Sequence, residues 1–439
     1  MASFDANSED AHRSADQAIR LVARQQGKRL RLAWLLLGPG ILVMLGENDA
    51  PSMLSYAATG AKFGIGFYLP FILLTFVMAL VVQETAMRLG AVTHLGHAEL
   101  IHRRFGRLWG TFALIDLLLT NALTLVTEFI GIVAGAEYFH SPPLLAVLAT
   151  LGILTITVSA RRYWRWERLM LVLAFGNLAF IPVAVLTHPR WDTVIQALAT
   201  GLAHPPHWSS QTLTFLLANI GATVTPWMLF FQQGAVSDKG MMAGDIAQGR
   251  LDTGVGAFAA ALVGIFAVIA TAPLARHHLN AGQYNAAQFA QALRPYAGRW
   301  GGRLFALGII ESGLVAAEAI ATSSAYTFGE ITGVHHSLNR PWREAPGFYA
   351  LMGGIAAVSA GLVLVPGFPL ESLVLIVNVL AVLTMPPALA FLLLLANDPD
   401  LMGSHRNRLY QNVLGIAVTA LLSFAGILYA ISVVAPTLR

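Results

Sequence analysis

Residues 38–52 read Gly38-Pro39-Gly40-Ile41-Leu42-Val43-Met44-Leu45-Gly46-Glu47-Asn48-Asp49-Ala50-Pro51-Ser52. This stretch lies inside the first long apolar segment and places two carboxylates next to a proline. Buried in a bilayer, such a break is costly unless it lines a site. A second break stands halfway along the chain: Ala218-Asn219-Ile220-Gly221-Ala222-Thr223-Val224-Thr225-Pro226-Trp227. Interrupted helices in corresponding positions of two halves point to the binding site of a transporter.

Composition sets the class. Hydrophobic residues make up 56% of the 439 and charged residues 11%, with a mean hydropathy of +0.64. A soluble domain carries about 25% charged residues, so this is an integral membrane protein. The apolar stretches run about 20 residues rather than alternating over about ten, which indicates helices and not a barrel. The absence of cysteine excludes disulfides, thiolate metal sites and cysteine nucleophiles.

Hydropathy predicts eleven spans, near 33–60, 67–90, 110–138, 143–160, 168–187, 211–234, 251–274, 303–329, 347–366, 370–396 and 410–436. The connection 275–302 is the longest, and 285–293 within it predicts a short surface helix. Residues 1–32 are polar, lack a cleavable signal pattern and predict a disordered cytoplasmic tail. With the N-terminus inside, the cytoplasmic segments hold 20 of the 27 basic residues, which gives an N-in, C-out topology. The run Arg161-Arg162-Tyr163-Trp164-Arg165-Trp166-Glu167-Arg168 then reads as an anchor against anionic lipid, not as a nucleic-acid patch. Membrane topology also accounts for the pI near 9.5.

Spans 1–5 and 6–10 are equal in number, so span 6 enters from the side opposite to span 1. The expected architecture is all-α, a LeuT-type five-plus-five inverted repeat of eleven transmembrane helices with spans 1 and 6 interrupted. The chain divides into the tail 1–32, a first repeat 33–190, a second repeat 191–396 and an appended helix in 397–439. A multi-pass protein of a bacterial inner membrane is expected. The sequence sets no oligomeric state.

Several motifs together resemble the Nramp family of divalent-metal transporters. They are Gly38-Pro39-Gly40 opening span 1, Gly60-Ala61-Lys62-Phe63-Gly64 at its end, Gln83 with Arg88-Leu89-Gly90-Ala91-Val92-Thr93 closing span 2, Thr127-Glu128-Phe129 in span 3, and Gly221-Ala222-Thr223-Val224 with Pro226 in span 6. The resemblance covers about residues 32–396 and implies alternating access around a midplane cation site built from the two breaks. Departures are equally marked. The family's Asp-Pro-Gly-Asn is Asp49-Ala50-Pro51-Ser52 here, and the methionine before the span 6 proline is Thr225. The proton-route histidines of span 6 are Trp227 and Gln232, and the second span 3 carboxylate is Gly131. This combination resembles the Nramp-related magnesium transporters.

Several candidates have more than one reading. Asp49 coordinates a cation beside free backbone carbonyls, or caps the second half-helix; the roles are compatible. Glu47 is a ligand, a holder of a hydrated ion's water, or a helix-end carboxylate facing water; the two acids repel unless a cation or proton sits between them. Ala222 and Ser52 complete the expected set, Ala222 with a carbonyl oxygen. Thr225 offers a hydroxyl to a hard cation, or bonds its own helix backbone. Asn378 matches a family glutamine that reaches the ion. Glu128 is a proton or cation relay, or a strut to Asn121 or Thr124. Glu84 is expected to pair with Arg88, while Glu311 and Glu318 are further acids at span depth. His94, His97 and His102 are read as a solvated loop.

The leading expectation is a carrier of a hard divalent cation, Mg²⁺ before Mn²⁺, weakly or not coupled to protons. The alternative keeps the fold and moves a small organic solute, an acid, amino acid or amine, stacked on Trp227. No cofactor is expected, and no catalytic motif of an intramembrane enzyme is present. Discontinuous helices in inverted repeats favour a gated carrier over a channel.

Overall fold

The computed structural model describes residues 38–159, 162–277, 282, 284–366 and 370–434. The tail expected at 1–32 and Arg161 of the basic run lie outside the described residues. Every described element is a helix. Span 1 is α1 (Pro39–Gly46) and α2 (Ala50–Phe63); span 2 is α3 (Tyr68–Thr93), followed by a short α4 (His97–Phe105). Span 3 is α5 (Arg107–Glu137) and span 4 α6 (Pro143–Val158). Span 5 is α7 (Tyr163–Ala174) and α8 (Phe180–Leu186), joined by a 3₁₀ turn at Phe175–Ala179 and followed by α9 (Trp191–Thr200). Span 6 is α10 (Ser210–Gly221) and α11 (Pro226–Asp238), span 7 α12 (Ile246–Thr271), then α13 (Ala286–Ala292). Spans 8–11 are α14 (Arg294–Thr332), α15 (Pro346–Val363), α16 (Leu370–Asn397, followed by α17, Pro399–Met402) and α18 (Leu409–Val434).

Nine of these stretches are long and apolar enough to cross a bilayer unaided. Span 4 is shorter at 16 residues, and span 1 is cut into pieces of 8 and 14. Spans 1 and 6 are both cut beside a proline. Pro51 and Pro226 stand in the first turn of the second half-helices, where a missing N–H is harmless, and the cap residues Asp49 and Thr225 are extended; Thr225, directly before its proline, is driven out of the helical region. Thr225 accordingly has φ −112° and ψ 152°. Span 1 packs on spans 6 and 7, span 3 on span 8, and span 10 on both the first half of span 6 and the appended helix. This is the LeuT-type inverted repeat.

Three of the basic connecting segments, 88–109, 235–250 and 397–409, meet at one end. Arg88 donates to the His405 carbonyl at 2.6 Å, Arg250 pairs with Glu84 at 2.8 Å, Arg104 with Asp398 at 2.6 Å, and Ser237 donates to the His94 carbonyl at 2.7 Å. Glu84 also pairs with Arg88, as expected.

Four expectations are corrected. Span 8 begins at Arg294 rather than 303 and absorbs the offset in a kink at Gly298, φ 67°. The helix in the 7–8 connection is not a surface feature alone, because Ala286, Phe289 and Leu293 are fully buried beneath its Asn285 cap. The basic run 161–168 is largely the first turns of α7, with Tyr163, Trp166 and Glu167 turned into the core and Arg162, Trp164 and Arg165 exposed. The histidines do not form a solvated loop. His97 opens α4, is buried edge-on against Phe230 and meets Gln233 at 3.1 Å; His94 is exposed and caps span 2 at φ 56°.

Candidate functional site

At the span 1 break, Glu47, Asn48, Asp49 and Ser52 are all completely buried. Asp49 caps α2: its Oδ1 accepts the Ser52 amide at 2.8 Å, while Oδ2 receives no donor and the Glu128 carboxyl stands beside the Asp49 carboxyl. The cap therefore occupies one oxygen of the carboxylate and leaves the other without a donor. Asn48 is anchored by donation to the Ala260 carbonyl of span 7 at 2.9 Å, and its Oδ1 is unmatched. The Ser52 hydroxyl is also unmatched.

Span 6 meets this break directly. Thr225 donates its hydroxyl to Glu47 Oε2 at 2.9 Å, instead of bonding its own backbone, and Glu47 Oε1 is left without a partner. The Ala222 carbonyl accepts Tyr56 Oη at 3.0 Å. One of its two lone-pair directions is thus already taken. Trp227 does not present an open ring. It is 1% exposed, lies against Gly46, and meets Phe231 edge-on with centroids 6.2 Å apart. Gln232, one turn further, is fully buried with both amide atoms unmatched.

Glu128 is not a strut to Asn121 or Thr124. Its Oε2 accepts the Ala50 amide at 3.0 Å, so it caps the same half-helix as Asp49, and Oε1 is unmatched. Asn121 donates instead to Ser324 at 2.9 Å, and Thr124 to the Thr120 carbonyl at 2.9 Å. Gly131, one turn after Glu128, explains the missing second acid: a Cβ there would lie 2.4 Å from the Ala50 Cβ. Asn378 comes within reach from span 10 but donates to Ser55 at 2.9 Å on α2. Its carbonyl lies so close to Gly221 that a Cβ at 221 would sit 1.7 Å from it, which is why α10 carries glycine there. The structure therefore gathers Glu47, Asp49, Ser52, Ala222, Thr225 and Glu128 around the two breaks. Asn378 is held on α2, Trp227 packs as core, and Gln232 lies a turn away.

Sequence reasoning missed residues that hold the breaks. Tyr56 falls on the Asp49–Ser52 face of α2 by its i, i+7 spacing, a signal open to reading. Asn219 donates to Thr59 at 2.7 Å, tying α10 to α2. Asn177, in the 3₁₀ turn of span 5, donates to the Leu45 carbonyl at 3.2 Å and accepts Ser312 at 2.7 Å. At the basic end, Asp252 accepts the amides of Gly38 and Gly40 at 2.9 and 2.6 Å, capping α1. Beside it Lys239 pairs with Glu167 at 2.8 Å, both buried. These contacts join sequence-distant spans and carry no local pattern.

This geometry is that of a LeuT-type transporter. Solved structures agree at the level of the fold: a manganese transporter of Eremococcus coleocola superposes with a TM-score of 0.70 at 20% identity, covering 91% of this chain and 86% of its own. A Na⁺-coupled sialic acid symporter superposes at 0.53 with 14% identity, covering 96% and 98%. The chain belongs to the Nramp family of divalent-metal transporters, whose model, described as natural resistance-associated macrophage protein-like, matches residues 40–432. The divalent metal cation transporter MntH of Erwinia tasmaniensis is 24% identical over 423 residues, 93% of this chain and 97% of that one. MntH 1 of Pseudomonas aeruginosa is 25% identical over 421 residues, 91% of each. The protein is a membrane transporter and not an enzyme.

Proposed function

We propose that this protein carries a hard divalent cation, Mg²⁺ before Mn²⁺, through a site centred on Asp49 and Thr225. The observation that carries this reading is the donor set. Unmatched, fully buried oxygens of Glu47, Asn48, Asp49 and Ser52 stand along the span 1 break, where the Thr225 hydroxyl meets Glu47, and no sulfur or imidazole is among them. Oxygen donors suit Mg²⁺, Mn²⁺ and Ca²⁺, whereas a thioether favours softer ions. Mg²⁺ binds one or two carboxylates and keeps several waters. The short Thr225 side chain supports room for them, and Ser52 and Glu47 hold water or metal. Ala222 supplies its second lone pair, and Asn378 orients Ser55 rather than reaching the ion.

The organic-solute reading asks Trp227 for a free ring face. Its packing against Gly46 and Phe231 favours the cation instead. With Gly131, Trp227 and Gln232 in the proton-route positions, Glu128 serves mainly to cap α2, and coupling to protons is weak or absent. Alternating access then moves α1 and α11 away from their partners at the basic end, which we place in the cytoplasm of a bacterial inner membrane, with the C-terminus outside.

Titration of purified protein with Mg²⁺, Mn²⁺, Cd²⁺ and a panel of organic acids and amines tests this. Saturable Mg²⁺ binding that is lost in Asp49→Asn is expected. Binding of an organic acid, with no divalent ion bound at millimolar concentration, transfers the assignment to an organic solute.

A further inference from the structure

Outside the cargo site a lateral pocket of about 690 Å³ lies between spans 4, 8 and 9, near the basic end. Its wall is mostly apolar, from Leu151, Leu154, Met352 and Ala356, with Trp342 at the mouth and Glu318 among the lining residues. Glu318 is completely buried. Its Oε1 accepts the Trp166 indole N–H at 2.8 Å, and its Oε2 has no partner.

The other hydroxyls of the wall are already committed. Thr155 donates to the Leu151 carbonyl at 2.7 Å, Ser159 to that of Thr155 at 2.7 Å, and Tyr349 to that of Arg340 at 2.6 Å. Thr157, next to the carboxyl, donates to Leu154 at 2.8 Å. Among the described residues of the wall, Glu318 contributes the one carboxyl, and its Oε2 is an acceptor without a donor. A buried acid at membrane depth with an oxygen left unmatched marks a functional site by default.

We propose that this pocket binds a hydrophobic amine, its aromatic or aliphatic body against spans 4 and 9 and its ammonium on Glu318 Oε2. The volume falls in the range of small-molecule sites, about 300–1,000 Å³. Met352, whose sulfur lies 3.9 Å from the Thr322 hydroxyl one turn beyond Glu318, is the adaptable part of the wall. The site is separate from the cargo site, although span 8 touches both: Ser323 donates to the Trp227 carbonyl at 3.1 Å.

The probes are 2-naphthylmethylamine and the uncharged 2-naphthylmethanol, titrated at neutral pH onto the full protein in lipid nanodiscs, with empty nanodiscs subtracted. The amine is expected to bind saturably and at least about tenfold tighter than the alcohol, as a charge-assisted hydrogen bond requires. Saturating Mn²⁺ leaves its binding unchanged. Glu318→Gln, which keeps the shape, abolishes the preference, and Ala356→Phe, which fills the pocket, removes binding of both probes. Equal affinity of the wild type for the two probes overturns the proposal. So does a preference that survives Glu318→Gln, or displacement of the amine by Mn²⁺.

Discussion

Thr225 donates its hydroxyl to Glu47 at 2.9 Å, a hydrogen bond that ties the breaks of the two repeats together across 178 positions of sequence. Glu47 is thereby held by one oxygen and presents the other. Asp49 is arranged in the same way by the Ser52 amide. Two carboxylates, each half used for structure and half unmatched, face one site. That division of labour governs what substitutions at the site do.

Asp49→Asn keeps the helix cap, because an amide oxygen also accepts the Ser52 N–H, and removes the charge. Uptake of the divalent cation is expected to vanish while thermal stability holds. Asp49→Ala loses both, with an additional destabilisation of about 1 kcal/mol. Uptake at the wild-type rate in Asp49→Asn refutes the assignment of Asp49 as principal ligand.

Thr225→Met introduces a thioether and removes the donor to Glu47. Transport is expected to shift from Mg²⁺ toward Mn²⁺ and Cd²⁺. The check is a competition series in proteoliposomes, and an unaltered order of preference means that residue 225 does not face the cargo.

Proton coupling is decided with proteoliposomes that contain a pH-sensitive dye. Cargo entry with no matching acidification of the lumen is the expected result. Acidification that follows the cargo and disappears in Glu128→Gln shows that one buried acid suffices, and that the Glu128 cap on Ala50 is also a proton site.

Gly131→Ala drives a methyl into Ala50 at the head of α2. A loss of about 1–3 kcal/mol is expected from overpacking. The double variant Gly131→Ala/Ala50→Gly restores the melting temperature, because it returns the space; failure of the second change to rescue contradicts the contact.

Lys239→Met leaves Glu167 buried with its ion pair broken at the basic end. A cost of about 3–5 kcal/mol is typical of such a loss. Cysteine accessibility measured in the cysteine-free background at α1 is expected to rise from that side. An unchanged melting temperature and accessibility rule out the pair as a closure of this end.

The membrane class, the number of spans and the two breaks were legible in the linear chain. Runs of apolar residues are set by bilayer thickness, and a proline cuts a helix wherever it falls. Asp49, Glu47 and Thr225 were legible for the same reason, as polar groups in apolar surroundings beside such cuts. Tertiary structure alone decided the partners. It gave Thr225 to Glu47 rather than to its own backbone, Glu128 to Ala50 rather than to Asn121, and buried His97 and Glu167, which a local reading leaves at the surface. Each of these is a choice between near-equivalent hydrogen-bond partners or faces, and it is made by which spans cross at which height. Local propensity carries no information about that height, because it is set by packing between helices that are far apart in the chain.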